Sequence, residues 1–250
     1  GLPNNSLIQD IAFDPNNDDV ILVVYASYQN DNSKIFITND GGNTWSNITY
    51  NLGNMPLHSV VVDHTINSYI YVGAEIGVYT KEVNDTNWSL YNSLLPNVTV
   101  EELEIVYGSN TLRAATWGRG LWEFILVGRE NFPSIIHTSI TNMPTDSVPK
   151  ENIDQHITSI ISYENNLTNV YVESFTDNNS NFLTIPMINN QDSTWISQFP
   201  IPNYPSGTKV YFKVFAIGNN NDTTETYRFM YTIKENYNQI SGCMDSTAIN

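Results

Sequence analysis

Four carboxylates, Asp14, Asp63, Glu75 and Glu102, are of the type that could hydrolyse a glycosidic bond. That reaction needs one carboxyl as acid and a second as base or nucleophile, about 5–9 Å apart across a cleft. Asp14 and Asp63 follow matching apolar runs, which favours a turn-capping role for both, before Pro15 and Thr65. Three arginines, Arg113, Arg119 and Arg129, could grip an acidic substrate through their planar guanidinium groups. They crowd one stretch of sequence, whereas a substrate-gripping cluster draws on several elements. His58, His64, His137 and His156 are dispersed and the only cysteine is Cys243, so no zinc site is assigned. The run Asp14-Pro15-Asn16-Asn17-Asp18-Asp19 masses oxygen ligands in one turn. A structural calcium on Asp14, Asp18 and Asp19 is one expectation there, and a solvated hairpin turn is the other; the EF-hand Gly and terminal Glu are missing. Neither a Gly-x-Ser-x-Gly elbow nor a phosphate-binding glycine loop occurs. No catalytic residue is assigned, and no cofactor beyond that calcium is expected. Trp88, Tyr91, Trp117 and Trp195 could form a platform for carbohydrate or for an extracellular protein, or pack in cores.

The elements that must position these residues read as short strands. In the first part of the chain, three apolar runs begin at Ile11, Val60 and Leu103, 49 and then 43 residues apart. Each is followed by a turn, a second apolar run and a hairpin: Lys34-Ile35-Phe36, Gly77-Val78-Tyr79 and Gly120-Leu121-Trp122. Trp45 and Trp88 also lie 43 residues apart. A period of roughly 40–50 residues with four strands per unit predicts propeller blades. The octapeptide Thr38-Asn39-Asp40-Gly41-Gly42-Asn43-Thr44-Trp45 lies between two predicted strands as a glycine-rich hairpin turn.

That octapeptide resembles the Asp-box, or BNR repeat, of sialidase-like and sortilin-like β-propellers. The resemblance implies architecture: in that family the box stabilises a blade rim, here through Thr38, Asp40, Gly42, Thr44 and Trp45. The loop before Trp88 is similar but lacks the glycine pair. The segment Arg113-Ala114-Ala115-Thr116-Trp117-Gly118-Arg119-Gly120-Leu121-Trp122-Glu123-Phe124 resembles the closing segment of sortilin-like and xyloglucan-active propellers. Gly118, Arg119, Gly120 and Trp122 would form that closing motif. Residues 1–128 are therefore expected to form the last two to three blades of a propeller. Upstream blades are expected to be missing, and the chain, which begins at Gly1, reads as a processed product or an internal fragment. An uncovered blade face predicts self-association, or dependence on the second domain for solubility.

Residues 132–234 carry seven predicted strands and read as a β-sandwich. In the run Lys209–Ala216, Val210, Phe212, Val214 and Ala216 share one face, and Tyr211, Lys213 and Phe215 the other. Pro205-Ser206-Gly207-Thr208-Lys209-Val210-Tyr211-Phe212 is similar to a strand of the immunoglobulin/fibronectin type III-like modules of secreted bacterial proteins. Residues 235–250 read as a linker and the start of a further unit. Gly242-Cys243-Met244-Asp245 resembles a cysteine-containing repeat of secreted Bacteroidetes proteins.

The fold class expected is thus all-β, a partial β-propeller plus a β-sandwich. A net charge of -16 argues against nucleic acid or anionic membrane as a partner. No apolar run is long enough for a membrane-spanning helix. The expected role is a non-catalytic scaffold and interaction segment of a secreted or cell-surface bacterial protein. The alternative is the C-terminal part of a propeller glycoside hydrolase acting on extracellular polysaccharide.

Overall fold

The computed structural model describes residues 1–3, 7–63, 68–91, 94–141 and 148–236. His64, Thr65, Cys243 and the Gly242–Asp245 motif lie outside the described residues. The fold is all-β, and the chain divides into two compact units, Gly1–Glu130 and Asn131–Asn250.

The first unit contains three antiparallel meanders. The first runs β1 (Ile8–Asp14), β2 (Asn17–Tyr25), β3 (Ile35–Thr38) and β4 (Ser46–Asn47). The second runs β5 (Leu57–Asp63), β6 (Tyr69–Ala74), β7 (Gly77–Glu82) and β8 (Ser89–Leu90). The third has three strands, β9 (Val100–Val106), β10 (Thr111–Thr116) and β11 (Gly120–Ile125). Their sequences alternate β-branched or aromatic residues with polar ones, so each sheet presents an apolar face to a neighbour. Leu22, Val24, Ile35 and Ile37 of the first sheet pack with Val60, Val62, Ile70 and Val72 of the second. On its other face the second sheet sends Tyr71 and Val78 against Leu103, Ile105, Leu112 and Phe124 of the third. Full burial of one such side chain contributes about 1.5–3 kcal/mol.

Two features pull the sheets close. Gly73 on β6 lies under Val100 of β9, and a Cβ there would come within 2.8 Å of the Val100 carbonyl oxygen and 2.9 Å of its Cγ1. A polar thread also crosses all three sheets. The Asp10 carboxylate accepts from the Ser59 hydroxyl and the Val60 N–H, each at 2.9 Å, and the Ser59 oxygen accepts from the Leu103 N–H at 3.1 Å. Each meander thus joins the next through its first strand.

Beyond β11 the chain remains part of the first unit. Arg129, one residue past the expected 1–128 boundary, is buried. Its guanidinium lies 3.7 Å from the buried Asp63 carboxylate and 3.4 Å from Asn110 Oδ1.

The second unit forms one curled, eight-stranded sheet. Its strands are β12 (Ser134–Thr141), β13 (His156–Ser162), β14 (Leu167–Thr176), β15 (Asn179–Gln191), β16 (Thr194–Ser197), β17 (Lys209–Gly218), β18 (Thr223–Glu225) and β19 (Phe229–Thr232). The order is β12-β13-β16-β15-β14-β17-β18, with β19 also on β17. The long β15 serves both layers. Its first half pairs with β14 up to Pro186, and from Met187 onward it pairs with β16. Pro186 has no N–H to give a ladder, which suits it to the changeover. The layers enclose Ile157, Ile161, Val170, Val172, Ile185 and the inward row Val210, Phe212, Val214 and Ala216. Seven strands are expected from sequence, and eight are present. The additional strand, β18, lies just before the last expected run, Thr226–Ile233, of which Phe229–Thr232 forms β19. Between the two strands Thr226 bonds Val214 through both its backbone N–H and its hydroxyl oxygen, each at 3.0 Å.

Two substitutions test this account. Gly73→Ala should destabilise the first unit by about 1–3 kcal/mol, because β9 must move to admit the methyl group. Arg129→Ala should cost about 3–5 kcal/mol, because it leaves the Asp63 charge buried without its cation. Urea unfolding of each variant against the parent chain measures both, and an unchanged midpoint for either would refute the corresponding contact.

Candidate functional site

The Thr38–Trp45 turn joins β3 to β4 and is organised by one carboxylate. Asp40 Oδ1 accepts from the Thr38 hydroxyl at 2.7 Å and the Thr44 N–H at 2.8 Å, and Oδ2 accepts from the Thr44 hydroxyl at 2.6 Å. The Thr38 oxygen also accepts the Gly42 N–H at 3.0 Å. Trp45 Nε1 donates to the Gly42 carbonyl at 3.0 Å, which folds the indole back over the turn. Gly42 has φ 95°, which any side chain would strain. The Thr44 hydroxyl first, then the Thr44 N–H and the Thr38 hydroxyl, hold the Asp40 carboxyl down from 3.8 to about 2. All three of these donors to Asp40 come from the turn itself, so the arrangement closes a loop.

Gly118, Arg119, Gly120 and Trp122 lie at the β10–β11 hairpin. Gly118 and Gly120 have φ 78° and 75°. Trp122 Nε1 donates to the Arg119 carbonyl at 3.0 Å, and the Thr116 hydroxyl to the Gly120 carbonyl at 2.7 Å. The Arg119 side chain is exposed at the tip. Arg113 instead pairs with Glu123 at 2.8 Å on the sheet face, and Arg129 is buried with Asp63. The three arginines therefore serve three separate local structures.

The candidate carboxylates are likewise dispersed. Asp14 accepts the Asn16 N–H at 2.8 Å and caps its turn. Asp63 is buried against Arg129, Glu75 accepts from the Tyr28 hydroxyl at 2.7 Å, and Glu102 is exposed on β9. Asp18 and Asp19 are exposed beside Asp14. Among the described residues no three His, Cys, Asp or Glu side chains gather as a metal site. His58 lies 3.9 Å from Glu101, His156 Nδ1 is 2.9 Å from the Ser197 carbonyl, and His137 is exposed. Of the aromatic candidates, Trp88 is buried between the first two sheets and Trp195 packs on the core of the second unit. Tyr91 donates its phenol to the Ile125 carbonyl, and Trp117 is 75% exposed.

An aromatic slot on the outer face of β14 and β17 is absent from the sequence-based candidates. Tyr171 stacks on Phe215 and Phe175 on Tyr211, both at 4.9 Å between ring centroids. Glu173 and Lys213 stand opposite each other between those pairs, and Lys213 bonds Glu225 at 2.7 Å. Phe182, 62% exposed, closes one side, and the Arg228 guanidinium sits 5.4 Å from the Phe175 ring. An open pocket of about 200 Å³ there is lined by Phe175, Phe182, Phe212 and Phe215 together with Glu173, Lys213, Glu225 and Arg228. Its sequence signal is the alternation Tyr171, Glu173, Phe175 opposite Tyr211, Lys213, Phe215, legible once the two strands are known to be neighbours.

The Asp40 geometry sets a pH dependence. A folded-state value near 2 lies below the unfolded value, so the stabilisation is complete above about pH 4 and disappears as pH falls towards 2. Asp40→Asn should melt below the parent chain at neutral pH. Thermal scans should show that gap narrowing between about pH 4 and pH 2. A gap independent of pH would mean that the carboxylate charge does not hold the turn.

No protein-family profile matches the chain, and no curated protein matches it in sequence. Two crystal structures of an extracellular domain from B. thetaiotaomicron resemble it at 11% identity and a TM-score of 0.35. One is described as part of a one-component system and the other as part of a hybrid two-component system. Each alignment covers 94% of this chain and 31% of the other, so this chain spans about a third of the length of those structures. Likeness this low transfers neither fold nor function.

Proposed function

We propose that this chain is a non-catalytic scaffold and interaction segment of a secreted or cell-surface multidomain protein, with the aromatic slot of its second unit as a contact surface for carbohydrate. The observation that carries this reading is the use made of the candidate catalytic groups. Asp14 caps a turn, Asp63 is buried with Arg129, and Glu75 bonds Tyr28. None of them lines the aromatic slot. The self-contained hydrogen bonding of Thr38–Trp45, together with the three meanders, supports reading the first unit as Asp-box propeller blades whose role is architectural.

Carbohydrate suits the slot chemically. Sugar C–H groups pack on aromatic faces and edges, while Lys213, Glu225, Glu173 and Arg228 at the rim offer donors and acceptors for hydroxyls. An acidic surface, with a net charge of -16, favours neutral or cationic glycans over sulfated ones.

A glycan array probed with the full chain, paired with a reducing-sugar assay on the same polysaccharides, tests the proposal. Binding without hydrolysis is expected, and Phe182→Ala should weaken that binding about tenfold while leaving the melting temperature unchanged. Sustained release of reducing ends by the chain would overturn the non-catalytic reading. Array binding insensitive to Phe182→Ala would overturn the slot.

A further inference from the structure

The first unit repeats itself at an interval of 43 residues through its outer strands, and the third repeat departs from the pattern at one place. In the first sheet Phe36 and Ile37 of β3 pair with Asn47 and Ser46 of β4. In the second, Tyr79 and Thr80 of β7 pair with Leu90 and Ser89 of β8. The residues at the same interval on β11 are Trp122 and Glu123. Among the described residues no strand pairs with the outer edge of β11. The segment that the interval assigns to that position, Asn131-Phe132-Pro133, belongs to the second unit, where the Thr224 hydroxyl bonds the Pro133 carbonyl at 2.5 Å.

The ladder shows which backbone groups face that edge. Leu126 N–H donates to the Asn110 carbonyl, and the register sets Phe124 opposite Leu112 and Trp122 opposite Ala114. Even-numbered residues therefore bond inward to β10. Alternation turns the N–H and C=O groups of Leu121, Glu123 and Ile125 outward. The Ile125 carbonyl accepts the Tyr91 phenol, consistent with this direction.

A groove of about 670 Å³ runs beside the same edge. Its position corresponds to the cradle of Trp88 one repeat earlier. Trp88 is 4% exposed, donates its indole N–H to the Ile48 carbonyl at 2.9 Å, and is clamped at both its N–H and C=O by Asn51. Residues 43 further on from Ile48, Asn51 and Lys81 are Tyr91, Leu94 and Phe124, and all three line the groove. The third cradle is thus more apolar than the second, and the residue 43 positions after Trp88 is Asn131, not a tryptophan. Leu94 is held at φ 65° with 90% of its surface exposed, a conformation unfavourable for leucine at the mouth of an apolar groove.

We infer that the β11 edge and its groove bind an extended segment of another polypeptide, with a tryptophan in the groove and the following residues paired to Glu123 and Leu121. The repeat defines the chemistry of the occupant as Trp-Ser-Xaa in β conformation, since Trp45-Ser46-Asn47 and Trp88-Ser89-Leu90 take the same place on the other two sheets. Main-chain pairing supplies affinity and the indole supplies register, as in other strand additions to an open sheet edge. The groove and the aromatic slot of the second unit share no lining residue.

A labelled peptide with the sequence Thr86–Tyr91 is the probe, titrated into the full chain by fluorescence anisotropy and followed by amide hydrogen exchange. Binding is expected, with slowed exchange at Leu121 and Glu123. The peptide carrying Trp88→Ala should bind at least about tenfold more weakly. Leu94→Asp in the protein, at an exposed position, should weaken the parent peptide without altering the melting temperature. Unchanged exchange at Leu121 and Glu123, or equal affinity for the Trp88→Ala peptide, would overturn the inference. A concentration-dependent dimer abolished by Leu94→Asp would also overturn it, because a second copy would then be the natural occupant.

Discussion

A four-stranded meander cannot bury its own faces, and the first unit depends on how its sheets meet that constraint. The second sheet lies in the middle and has an apolar partner on each side. Its two interfaces differ in character. Against the first sheet it sends aliphatic residues and the Trp88 indole; against the third it sends Tyr71 and a bare backbone at Gly73. The close approach at Gly73 is what lets β9 lie near enough for Leu103 to reach the Ser59 hydroxyl. Hydrophobic burial supplies most of the attraction, while the Asp10–Ser59–Leu103 thread fixes the sheets relative to one another, because a hydrogen bond is directional and apolar contact is not.

The outer faces of this stack are treated differently. On the third sheet Arg113 lies between Glu104 and Glu123 in register, giving a charged, solvated face. On the first sheet Val23, Tyr25 and Phe36 are covered by Leu2 and Trp45, while Ile11 and Phe13 are exposed. Trp45 therefore has two uses: its indole N–H closes the Asp40 turn, and its ring shields that face. Buried lysines close other loops. Lys34 Nζ bonds the Gln29 carbonyl and Asp31, and Lys81 Nζ bonds the carbonyls of Glu82, Val83 and Asp85, with burial pushing its pKa down. These are charges spent on backbone carbonyls that turns leave without ladder partners.

The second unit separates its functions by face. Alternation along β17 puts Val210, Phe212, Val214 and Ala216 into the core and leaves Tyr211, Lys213 and Phe215 on the outside, where they meet the outward residues of β14. Cross-strand stacking keeps those aromatic pairs upright and half-exposed. Burial and the carboxylates of Glu173 and Glu225 raise the Tyr171 phenol above its usual range, which keeps it a hydrogen-bond donor at any physiological pH. The result is an exterior with both apolar surface and charge, which a purely structural face would not need.

Much of the fold was legible because strand periodicity and turn chemistry are local. The 43-residue interval, the Thr38–Trp45 turn and the inward row of β17 all follow from residue types a few positions apart. Even so, the short strand Thr223–Glu225 was not expected, because it exists only through its pairing with β17. Sequence could not reveal why Asp63 and Arg129 matter, since they are far apart along the chain and become partners only when the segment after β11 folds back on the second sheet. Asp10 gave no signal at all, because its value lies in reaching Ser59 on a neighbouring sheet. The same limit applies to the aromatic slot and the β11 groove. Each strand alone displays its residues, but strand neighbours and sheet edges are tertiary facts, and only they decide which side chains share a surface and which backbone groups are left facing out.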